Sequence, residues 1–364
     1  MNLNRSNLDL QEVLISLVMI VRNEESTLAR CLESVKEIVD EIVIVDTGSQ
    51  DKTKEIAKSF GAMVYDFVWI DDFSEARNFA LSKASYEYIL VLDADEYIVS
   101  GGKKELQEVI HKKAIGKIAL LDAFNNKGEL GYSRNFISRI FPKGVNYVGS
   151  IHEQVESNLP RIKTNLQVAH DGYLHIDKSE RNLAILFKAL EASPEDSYIL
   201  YQLAHTLLVA GRKEEALVHY EAYYKCSRLS ESYRCAAVVD FIRNILELGS
   251  LENGVLVIEK EEKNYYDSPD FNFVCAEFYR ELVLSDVKKY IGYLPLIEGY
   301  YIKCLEIGET TKYDSVVGMG SYLAAYNLGV WYEVTKETEK ARTCYEMAME
   351  WGYEKAVDRI KELR

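Results

Sequence analysis

YILVLDADEY, residues 88–97, runs five apolar residues straight into two aspartates one position apart. An uninterrupted apolar run of this length reads as a strand buried on both faces, the habit of parallel sheets covered by helices. Asp93-Ala94-Asp95 then leaves the strand at its C-terminal end, where open α/β sheets hold ligands. In a chain of formal net charge −15, two carboxylates so close are costly unless a cation neutralises them. Hard oxygen ligands favour Mg²⁺ or Mn²⁺, which would hold a substrate diphosphate.

The residues before this stretch repeat the pattern. Residues 15–21, 41–45 and 62–68 are strand-like, and 26–39, 51–60 and 73–84 have helical spacing, the first through Leu28, Cys31, Leu32, Val35 and Ile38. Strands alternating with helices predict right-handed βαβ units and a parallel sheet. After Leu92 a helix is expected at 103–113 and strands at 117–122, 132–141, 146–151 and 162–169, so the sheet becomes mixed.

The second strand ends in Asp46-Thr47-Gly48-Ser49, the letters of an aspartic-protease loop. Such a protease needs two copies, because two carboxylates share one proton. This chain has one copy, and it lies between a strand and a helix. Asp46 is thus either a ligand-binding carboxylate at a strand end or part of the turn itself, where Ser49 or Asp51 can cap the next helix.

Composition narrows the partners. With 58 acidic against 43 basic residues, the chain repels phosphate backbones, which excludes nucleic acid as a partner. The six cysteines are scattered without CxxC or zinc spacing, so they are expected to be reduced thiols in the core. The apolar stretch 13–21 falls far short of the roughly 20 residues that span a bilayer. It also lacks the charged start and cleavage site of a signal peptide. We expect no transmembrane segment and a soluble, cytoplasmic protein.

From about residue 178 the chain is helical and rich in tyrosine. Leu328-Gly329, Tyr332, Ala341, Tyr345 and Ala348 fit the tetratricopeptide pattern, and Leu203-Ala204, Leu207, Gly211, Ala216 and Tyr220 fit it with substitutions. Such repeats stack into a concave surface that binds a peptide or another subunit. A homodimer through these helices and a purely stabilising cap are the two other roles. Gly318-Met319-Gly320 lacks the third glycine of a dinucleotide loop and lies among helices, so that reading is rejected.

Together VMIVRNEESTLARCLESV, EIVIVDTGSQDKTKEIAKSFGA, FSEARNFALSKA and YILVLDADE resemble the family 2 glycosyltransferases of GT-A fold. The later SRIF, SIHEQV and VAHDGYLH, followed by helical repeats, are similar to a bacterial subgroup with tetratricopeptide-like C-terminal domains. That subgroup includes peptide S-glycosyltransferases of the sublancin type, which modify a bacteriocin. The resemblance implies an α/β fold class: a GT-A domain (Rossmann-like, mixed sheet) over residues 1–177 and an all-α tetratricopeptide-like domain over 178–364. It implies a metal-dependent, inverting hexosyltransferase using a nucleotide sugar such as UDP-glucose, with Mg²⁺ or Mn²⁺. The nucleotide-sugar site would contain Val21, Asn23, Glu24 against the nucleoside, Asp46 on the base, Arg77 on the diphosphate or sugar, Asp93 on the ribose or sugar, and Arg139 on the diphosphate. Asp95 would be the main metal ligand, with His170 or His175 completing the shell. Glu153 would be the catalytic base, with His152 its competitor; HEQVE is not an HExxH zinc site, since Glu156 stands where the second histidine belongs.

The residues also allow plainer roles. Glu24 fits a first-turn helix acid, Arg77 a surface partner of Asp71 or Asp72, Glu153 a solvated loop acid, and His170 a hydrogen-bonded structural histidine. The acceptor is open between a peptide Cys or Ser side chain and a lipid or polysaccharide. A degenerate transferase serving as a repeat scaffold for a protein partner is the alternative from another class.

Overall fold

The computed structural model describes residues 13–126, 128–171 and 179–363. They form two compact units, 1–123 with 136–176, and 124–135 with 177–364. A single break at 177 therefore does not describe the division, because the tip of one hairpin groups with the helices.

The first unit alternates as its apolar pattern dictates: β1 (Ile15–Val21), α1 (Leu28–Val35), β2 (Glu41–Asp46), α2 (Thr53–Ser59), β3 (Met63–Asp66), α3 (Phe73–Lys83) and β4 (Tyr88–Val91). Next along the chain come β5 (Glu96–Ser100), α4 (Lys103–His111), β6 (Ile115–Asn126), β7 (Glu129–Pro142), β8 (Asn146–Val148), β9 (Gln154–Glu156) and β10 (Arg161–His170). Strands β5 and β9 were not expected from sequence, and β6 and β7 outrun their expected bounds.

The sheet order is β3-β2-β1-β4-β7-β6-β10-β5, while β8 and β9 form a separate antiparallel pair. Strands β3, β2, β1 and β4 are parallel neighbours, and β7 joins β4 antiparallel, which makes the sheet mixed as expected. One face packs Leu28, Cys31, Leu32 and Val35 of α1 against Leu17 and Met19, and the other packs Ala80 and Leu81 of α3 against Val18 and Val43. Parallel registry brings Val21, Asp46 and Asp66 level at the C-terminal ends.

In the second unit the clear repeat forms helices Tyr322–Val334 and Thr338–Glu350. A Cβ on Gly329 would come within 2.7 Å of the Tyr345 ring, so the small residue of the pattern is what lets the pair close. The weaker repeat forms helices Ser197–Val209 and Lys213–Cys226, with Gly211 turning between them at φ +76°. Strand β11 (Ser315–Val316) pairs with Ser133 and Arg134 of the hairpin tip. All six cysteines are free thiols, and Cys226 alone of them is exposed. Among the described residues no helix is long and apolar enough to cross a membrane.

Candidate active site at the strand ends

The C-terminal ends of β1, β2 and β4 gather the predicted residues, because parallel strands end on one side of the sheet. Val21 closes β1; its carbonyl accepts from the Thr47 main-chain N–H at 2.9 Å and from its hydroxyl at 3.1 Å. Asn23, in the left-handed region at φ +57°, accepts from the Gln50 N–H at 2.8 Å. Glu24 precedes the turn that leads into α1: its carboxylate accepts from the Thr27 hydroxyl at 2.9 Å, and its N–H donates to Thr53 Oγ1 at 2.7 Å. The two N-terminal loops are thereby stitched together by side chains.

Asp46 serves the turn. Its Oδ1 accepts from the N–H groups of Gly48 and Ser49, each at 2.9 Å, and Gly48 at φ +111° makes that turn possible. Its Oδ2 is buried with no hydrogen-bond partner among the described residues. The turn uses only one of these oxygens, and a buried acceptor left unpaired costs about 1–3 kcal/mol.

Beside it a chain of alternating charge runs Glu153–Arg77–Asp93–Arg139–Glu96. Arg77 donates through Nε to Glu153 Oε1 and through Nη2 to Asp93 Oδ1 at 2.9 Å. Arg139 Nη2 reaches Asp93 Oδ2 at 2.8 Å and Glu96 Oε1 at 2.7 Å. Arg77 thus pairs inside the site rather than with Asp71 or Asp72, and its Nη1 is buried without a partner. Burial would raise Asp93, but the two guanidiniums hold it well below the usual carboxylate range. Burial pushes Glu96 up to about 7, against the attraction of Arg139 and with the repulsion of Asp93. Glu153 shares this network, whereas His152 stands beside it at φ +49°.

Asp95 faces the other way. Its Oδ2 lies 3.4 Å from His170 Nε2, and His170 Nδ1 lies 2.7 Å from Asp122 Oδ1. Burial disfavours the imidazolium, but hydrogen bonds to Asp122 and Asp95 outweigh it and push His170 up to about 10. Asp95 and His170 are the side chains that would hold a divalent cation: a carboxylate on the far ring nitrogen is the usual second partner of a ligating histidine. Their donor atoms, 3.4 Å apart, are set wider than the ~3.0 Å between adjacent octahedral ligands at ~2.1 Å, so binding would draw them together and release the imidazole proton. Among the described residues no group of three or more His, Cys, Asp or Glu side chains is arranged to hold a metal, so further ligands would come from substrate phosphate and water, as Mg²⁺ prefers. His175 lies outside the described residues.

Sequence reasoning missed Glu96 and Asp122. Glu96 was legible as the fourth letter of DADE, while Asp122 reaches His170 only because β6 and β10 pair in parallel, with these two residues in register.

Residues 16–163 match the family model for glycosyl transferase family 2. This first unit is a family 2 glycosyltransferase domain. Several curated proteins are similar to the chain as well. A TPR repeat-containing protein of Synechococcus elongatus is 34% identical over 215 residues, 54% of this chain and 53% of that one. The SPbeta prophage-derived glycosyltransferase SunS of Bacillus subtilis is 28% identical over 212 residues, 55% and 50% of the two chains. The chain thus spans about half the length of these relatives. Among solved structures, MamA covers 49% of this chain and 91% of its own at TM-score 0.39 and 15% identity. Glucosyl-3-phosphoglycerate synthase of Mycobacterium tuberculosis, solved with Mn²⁺, UDP and glucosyl-3-phosphoglycerate, covers 30% and 44% at TM-score 0.26 and 22% identity. With its mixed sheet, the first unit is a GT-A type Rossmann-like domain, and the helices after it are tetratricopeptide-like.

Proposed function

We propose that the protein is a metal-dependent, inverting glycosyltransferase that moves a hexose from a nucleotide sugar, a UDP-sugar, to an acceptor. The observation that carries the reading is Asp46 at the end of β2, its Oδ2 buried and unpaired among the described residues, with Asp93 and Asp95 following β4, which runs parallel to it in the same sheet. A buried acceptor in that position suits the imide N–H of uracil. The unpaired Arg77 Nη1 suits a diphosphate oxygen, and Asp93, fixed by two arginines, suits a sugar or ribose hydroxyl.

Asp95 and His170 would hold Mg²⁺ or Mn²⁺, which when bound offsets the charge of the departing diphosphate. Glu153 takes the acceptor's proton at its carboxylate, which the pairing with Arg77 aims.

The acceptor proposed is a peptide or protein, with a Cys or Ser side chain as the nucleophile; SunS supports glycosyl transfer itself, being a glycosyltransferase by name. The two differ in their need for a base. A thiol with a pKa of about 8.5 already supplies thiolate near neutrality and would tolerate Glu153→Gln, whereas a hydroxyl would not. The test of the reading is a calorimetric screen of UDP- and GDP-sugars with and without Mn²⁺. Metal-dependent binding of a UDP-sugar is expected; no metal-dependent binding of any nucleotide sugar overturns the proposal.

A further inference from the structure

Glu153 lies in the loop that joins β8 to β9, whose register pairs Tyr147 with Val155 and Val148 with Gln154. Two strands of three residues cannot hold a loop by themselves, since an isolated hairpin is marginal in water. Something outside the hairpin has to fix it.

Helix α3 does so at three points. The Phe73 N–H donates to the Ser150 carbonyl at 2.9 Å. Asn78 Nδ2 donates to the Tyr147 carbonyl at 2.9 Å, and Asn78 Oδ1 accepts from the Tyr147 N–H at 2.8 Å. Arg77, one residue earlier, donates to Glu153 itself and lies 5.5 Å over the Tyr147 ring. A primary amide carries the same donor and acceptor as a peptide unit, so Asn78 pairs with the outer edge of β8 as a third strand would. Tyr147 is buried and meets the Phe141 ring edge-on at 5.8 Å, which ties the hairpin to β7 as well.

We propose that Asn78 is a positioning residue for Glu153: by gripping the Tyr147 main chain it fixes the hairpin on α3, and so delivers the Glu153 carboxylate to Arg77. The inference rests on the reading of Glu153 as the base. It gives the Arg77-Asn78 pair a division of labour, in which Arg77 meets the base and the DxD aspartate while Asn78 holds the hairpin and touches no donor.

The test compares Asn78→Ala and Asn78→Asp with wild type and Glu153→Gln, using the nucleotide sugar selected by the screen, Mn²⁺ and water as acceptor. Asn78→Ala is expected to lower kcat about 100-fold, the loss that a displacement of roughly 1 Å brings. Donor KM should stay within about twofold, because uniform donor binding is untouched. The amides of residues 147–156 should exchange faster with solvent. Adding Asn78→Ala to Glu153→Gln should cost little more, since residues acting as a unit are not additive. Asn78→Asp keeps the acceptor for the Tyr147 N–H and loses the donor, so it should fall between, and it serves if the alanine variant does not fold. An unchanged kcat, a loss carried by donor KM alone, or additive losses would each overturn the assignment. Failure of wild type to bind any donor would instead break the functional reading, and unchanged amide exchange in Asn78→Ala would then still refute the clamp.

Discussion

Two buried ion networks in this molecule use the same side chains and are finished to different degrees. In the helical unit Arg234 meets Glu261 with both ends of its fork, at 2.7 and 2.9 Å, and adds Tyr265 at 3.0 Å. Tyr224 and Asn264 fill the remaining positions on Glu261. At the strand ends, Arg77 and Asp46 each retain a buried atom without a partner. A closed network satisfies its buried groups, whereas an open one carries the cost of an unpaired buried atom, which calls for an explanation.

Substitutions can break or sharpen this contrast. The largest effect is expected from Glu153→Gln, which should lower transfer to a hydroxyl acceptor by about 10²–10⁴-fold, read in steady-state kinetics, with the folding midpoint unmoved. Arg234→Met should do the reverse, removing about 3–5 kcal/mol of stability by leaving Glu261 buried and unpaired. Denaturant unfolding would show it, and Arg234→Met with Glu261→Leu should recover most of the loss.

Asp46→Asn tests the open atom more gently. An asparagine oxygen can still serve the turn, but the other atom becomes a donor facing a donor. UDP affinity should fall by about 10–100-fold, the equivalent of about 1–3 kcal/mol for a mispaired buried group, in a calorimetric titration.

The smallest effect concerns Asp270 of the helical unit. Its Oδ1 accepts from the Val316 N–H at 2.8 Å, its Oδ2 is unpaired, and burial pushes its carboxyl up to about 7. Between its ordinary value and about 7 the folded state keeps a proton that the unfolded state has lost, so stability falls as pH rises through that window. Asp270→Asn removes this dependence and should raise stability at pH 8 by about 1 kcal/mol relative to wild type, with a smaller change at pH 5, read from thermal melts at both pH values.

What the sequence disclosed divides along the same line. Strands β1, β2 and β4 were legible because burial on both faces forces unbroken apolar runs, and Asp46 and Asp93 then fell at strand ends without further assumption. The repeat helices were legible because Gly329 and Tyr345 are a packing pair. Asn78 and Asp122 were not, since each acquires meaning from a partner far along the chain: Tyr147 and His170. Strand β9 is too short for its alternation to show, and the span of β6 and β7 past the sheet core has no apolar period to announce it.

That long hairpin also constrains how the protein can be divided. Residues 124–135 group with the helices, and Ser133 and Arg134 find their strand partners in Val316 and Ser315. A chain ended at residue 176 would keep the strand-end residues of the first unit, yet Ser133 and Arg134 would lose these partners and leave a bare strand edge open to pairing with another molecule.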